Sequence, residues 1–194
     1  KKFKPPYKGK PKLEKRLDAN LKLIDSFTSQ GFKKNQIFIT GRSCGGWMTM
    51  MLLARHPNIV AGGISFVPEC YGRLTKTYKV KKIGVEEALK KFEKKDGSGP
   101  ADMRQKQIDE IKKSTNLPVL VFTHPKDPFG GLLFDWVEEI PGVERIVVSE
   151  DNKVNGKSCK VWGKAIKDFH DIDRADCFEY YNSTILNFIN SKLN

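Results

Sequence analysis

The sequence predicts an α/β domain with a mostly parallel sheet and helices on both faces. Short β-branched and aromatic runs at 36–40, 60–67, 119–123 and 144–149 alternate with longer amphipathic stretches, and a parallel sheet with crossover helices requires that order. A glycine-bearing turn, Gly41 to Gly46, joins the first run to a helical one. Ligands of such sheets sit beyond the carboxyl ends of the strands, so this junction is the first place to look for chemistry.

Taken in order, residues 1–12 read as a basic, extended lead-in, because Pro5, Pro6 and Pro11 bar a regular helix. The domain proper is expected over 13–194. Leu13, Leu17, Leu21, Ile24 and Phe27 recur at helical spacing and close at Gly31, which predicts a helix lying on the sheet. The strand at 36–40 follows, then the turn, then a helix from Trp47 to Arg55 that Pro57 ends. After the strand at 60–67 comes a polar, lysine-rich stretch over about 71–116, read as a cap or insertion, with weak helical patterns at 85–92 and 101–111 around Asp96-Gly97-Ser98-Gly99-Pro100. A buried strand is expected at 119–123, a lead into a helix at 129–137, a strand at 144–149, a loop of glycines and lysines, and a closing helix over about 175–189. There is no internal repeat.

At 194 residues with 39% hydrophobic content, the chain suits one domain with a real core. No apolar run approaches membrane-spanning length, so no membrane partner is expected. The start, Lys1-Lys2-Phe3-Lys4-Pro5-Pro6, is not a cleavable signal and does not begin with methionine, which leaves room for a targeting signal already removed. A net charge of +12 invites a nucleic-acid partner, but the lysines are spread along the chain and no aromatic-interleaved recognition motif accompanies them. A solvated lysine-rich surface is the better reading, with an anionic substrate left open. Cys44, Cys70, Cys159 and Cys177 show no C-x-x-C spacing, so neither a zinc site nor another cofactor is expected. Cys159 and Cys177 bracket His170, where a bridge would tie down its loop, although spacing alone does not establish one.

The turn contains Gly41-Arg42-Ser43-Cys44-Gly45, a G-x-S-x-G match between strand and helix. That spacing suits a serine held in strained backbone with its hydroxyl above the sheet, flanked by glycines because side chains there would collide. The first N–H groups of the helix face any negative charge forming beside Ser43. A serine nucleophile needs a base and an acid to orient that base. His56 lies thirteen residues along the same helix, about 20 Å away, out of reach. His124 ends a strand just before Asp127, while His170 lies between the last strand and the last helix, from where it can swing over the sheet edge. Asp127, directly after a buried strand, is the best acid; Asp135 is a weaker rival, and Asp168 and Asp171 are too close in sequence to orient the His170 ring.

Gly41 to Met48 resembles the nucleophile elbow of the α/β-hydrolase superfamily, particularly the branch of prolyl oligopeptidases and dienelactone hydrolase-like esterases, and the order Ser43, Asp127, His170 fits it. The resemblance implies Ser43 as nucleophile, Asp127 as acid, His170 as base and the Cys44 N–H as one oxyanion donor. It also implies about four further strands before the helix that precedes the elbow. The chain is therefore expected to be the C-terminal part of such a domain, with the remaining strands supplied by a longer chain or a partner chain. Without the second oxyanion donor it would be a poor catalyst, since one such donor is worth roughly 10²–10³ in turnover. The expected function is hydrolysis of an ester, less readily an amide, in a small molecule or short peptide. The alternative is a non-catalytic module binding an anionic ligand or partner. A periplasmic or secreted location is favoured over the cytoplasm.

Overall fold

A computed structural model describes residues 12–96, 98–148, 153–154, 157–166 and 169–193. Residues 1–11 of the expected lead-in, Gly97, Ser149 and Asp168 lie outside them.

Helix α1 (Lys12–Ser29) turns Leu17 and Ile24 inward and is followed by Gly31 at φ +97°, the left-handed position that commonly closes a helix. A 3-10 turn at Lys34–Gln36 delays the first strand, so β1 spans Phe38–Arg42 rather than 36–40. Helix α2 (Cys44–Arg55) follows, with Met50, Met51, Leu52 and Leu53 buried. Strand β2 (Gly62–Phe66) is shorter than the apolar run that predicted it. Between β2 and the third strand come α3 (Leu74–Thr77), α4 (Val80–Ile83), α5 (Val85–Asp96) and α6 (Ser98–Lys112). Leu74, Tyr78, Val80, Ala88 and Phe92 give this segment its own small core with Leu133.

Strand β3 (Val119–Thr123) is buried at every position. The stretch 129–137, read as a lead into a helix, contains two 3-10 turns instead, Gly131–Leu133 and Asp135–Glu139. Strand β4 (Val143–Val147) is followed by two short hairpins, β5 (Lys153–Val154) with β6 (Lys157–Ser158) and β7 (Lys160–Val161) with β8 (Lys164–Ala165). The closing helix α7 covers Asn182–Leu193, because 169–174 and 176–181 wind as 3-10 turns before it. All the apolar residues of the expected helix are present, but the tighter winding starts the α-helix seven residues later than the periodicity suggested.

The main sheet is parallel throughout, in the order β1-β2-β3-β4. On one face α1, α2, α6 and the 134–140 segment cover Val119 and Val121. On the other, the 3-10 segments and α7 cover Ile64, Leu120 and Phe122. Arg55 binds three helices together: its Nε donates to Glu110 at 2.6 Å and its Nη1 to Glu14 at 2.9 Å. Strand β1 pairs only with β2 among the described residues, so the strand carrying the serine turn lies at the sheet edge with its residues half-buried or exposed.

Candidate active site

Strands β1, β2 and β3 all point the same way, so the segments that follow them meet at one edge. After β1, Ser43 adopts φ 55° and ψ −126°, a conformation that costs a non-glycine residue about 1–3 kcal/mol. The surroundings hold it there: its N–H donates to the Phe66 carbonyl at 2.9 Å, and its own carbonyl accepts from Trp47 at 3.1 Å and Glu69 at 3.3 Å. A Cβ at Gly41 would come within 2.2 Å of the Gly45 carbonyl carbon, and one at Gly46 within 2.6 Å of Ser65 Oγ. Gly45 has open space around its position. The tight glycines are therefore the first of the motif and the one just after it, a correction to the symmetric flanking expected from sequence.

After β3, Asp127 and His170 come together, both buried. The His170 Nδ1 lies 3.0 Å from Asp127 Oδ1 and 3.1 Å from Oδ2. An ionised carboxylate only accepts, so Nδ1 is the donor in this contact and Nε2 is the ring nitrogen turned away from Asp127. The carboxylate is itself steadied by the Phe129 N–H, which donates to Oδ1 at 2.9 Å. The Phe129 ring stacks on the imidazole at 4.0 Å between centroids, and Arg73 lies 5.1 Å above the same Phe129 ring. The rivals are engaged elsewhere. His124 is buried, accepts from the Lys126 N–H at 3.0 Å and stacks on Phe169; His56 caps the end of α2; Asp135 pairs with Arg145 at 2.9 Å; and Asp171 pairs with Arg42.

Arg42 had no assigned role in the sequence. Its Nε donates to Asp173 at 2.9 Å, and its Nη2 donates to both the His170 carbonyl and Asp171. The residue immediately before Ser43 thus holds the loop that carries His170. Cys44, immediately after Ser43, forms a disulfide with Cys70 across 26 residues of chain. The Ser43 hydroxyl donates to the carbonyl of Glu69, next to that cysteine, at 3.4 Å. Cys159 and Cys177 form the second disulfide, Cα to Cα 5.0 Å. The Cys44 N–H belongs to the first turn of α2, where helical N–H groups lack an intrahelical acceptor.

Glu69 is the other group the sequence did not mark. It is fully enclosed, its Oε1 accepting from the N–H groups of Cys70 at 2.7 Å and Tyr71 at 2.8 Å, with Arg104 Nε 3.7 Å from Oε2. Burial pushes its carboxyl above the ordinary range; Arg104 and the two N–H groups pull the other way, and the nearby Asp127 charge adds to the rise. The Tyr71 phenol is pushed up to about 12, by burial first and the Glu69 charge second. Tyr71 Oη donates to Gln107 at 2.7 Å, and Trp47 Nε1 donates to the same oxygen at 2.7 Å, joining α6 to α2. Beyond the even cysteine count and the nearness of Cys44 to the serine, the chain held no signal for the Cys44 bridge, and nothing local pointed to Arg42 or Glu69.

Residues 10–127 match the Prolyl oligopeptidase family, Peptidase_S9. No curated protein matches the chain. Among solved structures, one from a study of two fungal esterases of Rhizomucor miehei aligns at 15% identity and TM-score 0.56, over 99% of this chain and 62% of that one. Acetyl xylan esterase 1 from Thermoanaerobacterium sp. JW/SL YS485 aligns at 14% identity and TM-score 0.52, over 92% and 52%. A thermostable esterase aligns at 17% identity and TM-score 0.51, over 91% and 36%. At identities this low the likeness shows the fold alone, that of the α/β-hydrolases, and the chain spans between 36% and 62% of the length of these three structures.

Proposed function

Because the chain belongs to the prolyl oligopeptidase family, we propose that it carries a serine esterase site. His170 Nε2 takes the proton of Ser43 as Oγ attacks the ester carbonyl carbon, and the Cys44 N–H faces the oxyanion that forms. Collapse expels the alcohol, which leaves with the proton from His170; water then attacks the acyl-serine with His170 again as base, the acyl–Oγ bond breaks, the carboxylic acid leaves and His170 returns the proton to Ser43 Oγ. Asp127 holds the imidazole in the reactive tautomer and balances its positive charge. The observation that carries this reading is the buried contact of His170 Nδ1 with both Asp127 oxygens, at the same sheet edge as a serine at φ 55°. The insertion over 71–116 would act as a cap on substrates, and the fold's incomplete edge at β1 fits a site that further strands complete. Two disulfides suit an oxidising location, periplasmic or extracellular.

The test is hydrolysis of p-nitrophenyl acetate by the full-length protein. Ser43→Ala and His170→Ala are expected to lose on the order of 10⁴–10⁶-fold in kcat while keeping a residual rate above water, and Asp127→Asn about 10²–10⁴-fold. Full activity in Ser43→Ala would sink the reading. A second reading, an anionic-ligand module, is favoured by one feature. A cavity of ≈ 540 Å³ on the insertion is lined by Lys79, Lys91, Lys94 and Lys95 over Tyr78 and Ile83. Calorimetry with citrate checks it: binding that Lys79→Glu and Lys94→Glu abolish supports it, and no heat in the full-length protein dismisses it.

A further inference from the structure

We propose that Arg42 is a positioning residue that sets the His170 loop against the serine turn, an inference that rests on the esterase reading above. The geometry is specific. Arg42 ends β1, so its backbone is pinned by the ladder with β2 at Phe66. Its side chain reaches 128 to 131 residues along the chain to three acceptors on one short segment: the His170 carbonyl, Asp171 Oδ1 and Asp173 Oδ1. A planar guanidinium presents its donors in a fixed fork, and two of its nitrogens serve all three acceptors here; a lysine ammonium is a compact charge on a flexible stem without that fixed geometry.

The acceptor segment needs such a hold. Residues 169–174 form a 3-10 turn rather than an α-helix, with poorer internal hydrogen bonding. Asp127 and Phe129 fix the His170 ring from the β3 side, by the Nδ1 contact and the 4.0 Å stack. Neither fixes the ring relative to Ser43, which sits on a different strand. Arg42 does, because its backbone is bonded to Ser43 and its guanidinium to the His170 carbonyl. Arg174 also pairs with Asp171, at 3.4 Å, but from within the same segment, so that pair braces the turn without tying it to the elbow. A displacement of about 1 Å between base and nucleophile suffices to cost about 10²-fold in rate.

The test compares Arg42→Met and Arg42→Lys with wild type in the full-length protein, by ester hydrolysis and by the NMR signal of the His170 Nδ1–H, assigned with His56 and His124 variants. Arg42→Met should lower kcat by roughly 10–100-fold with KM little changed, and Arg42→Lys should recover part of it. The Nδ1–H resonance should broaden or shift in Arg42→Met while far-UV circular dichroism stays the same. An unchanged kcat in Arg42→Met, or a lower kcat with the resonance unmoved, overturns the proposal. If Ser43→Ala keeps wild-type activity, the esterase reading has failed instead, and the resonance alone decides whether Arg42 positions the ring.

Discussion

The two chain neighbours of Ser43 hold different parts of the site by different physics. On the N-terminal side, Arg42 holds the His170 segment through ion pairs and a carbonyl, with about a quarter of its side chain exposed, and Asp171 more so at 35%. On the C-terminal side, Cys44 is bonded covalently to Cys70, beside the buried Glu69. The first tether spans 128 to 131 residues and responds to solvent; the second spans 26 and responds only to reductant. In the proposed mechanism the base moves protons and its loop tolerates a tunable hold, whereas the oxyanion N–H must stay where charge develops. The fold puts its rigid link on that side.

The largest expected effect comes from breaking the covalent side. Replacing Cys44 and Cys70 with serine should lower unfolding free energy by about 2–4 kcal/mol, read by urea denaturation; a change below about 0.5 kcal/mol would mean that the bridge adds nothing to the fold. Breaking the ionic side should be gentler and reversible. Raising salt from about 0.05 M to about 1 M shortens the Debye length from over 10 Å to about 3 Å. That should cut wild-type kcat a few-fold while leaving the already impaired Arg42→Met unaffected. Equal salt sensitivity in both proteins would remove the assignment of the ionic tether to Arg42.

The smallest effect concerns Glu69, on the covalent side. Its folded carboxyl titrates above its unfolded one because burial disfavours the charge. The folded state therefore keeps the proton to higher pH, and the associated stability is present below the ordinary glutamate range of about 4.3 and lost as pH rises through the raised value. Glu69→Gln keeps an acceptor for Cys70 and Tyr71 but cannot titrate. Wild-type stability minus that of Glu69→Gln should therefore fall as pH rises from about 4 towards 7, followed by urea unfolding at a series of pH values. A difference that is flat with pH would show that Glu69 does not titrate there.

The parts of this molecule readable from sequence are the local ones. The strand-turn-helix at Ser43, the helix from Leu13 and the buried run at 119–123 follow from local patterns, and the parallel order from the way such runs alternate with helical stretches along the chain. The last helix was placed too early because 3-10 and α winding share apolar spacing over one or two turns, and Asp176–Tyr181 took the tighter form. Arg42, Glu69 and the Cys44 bridge stayed invisible for a different reason. Each is defined by a partner remote in sequence: Asp173 for Arg42, Arg104 for Glu69, Cys70 for Cys44. A G-x-S-x-G pattern leaves its second and fourth positions free, yet those two residues carry the tethers here.

The most direct test is fluorophosphonate labelling of the full-length protein, followed by mass spectrometry of the peptide containing Ser43. Stoichiometric modification at Ser43 is expected, abolished in Ser43→Ala, strongly slowed in His170→Ala and slowed less in Arg42→Met. No adduct on the wild-type protein, or an adduct on a residue other than Ser43, would contradict a nucleophile at this turn.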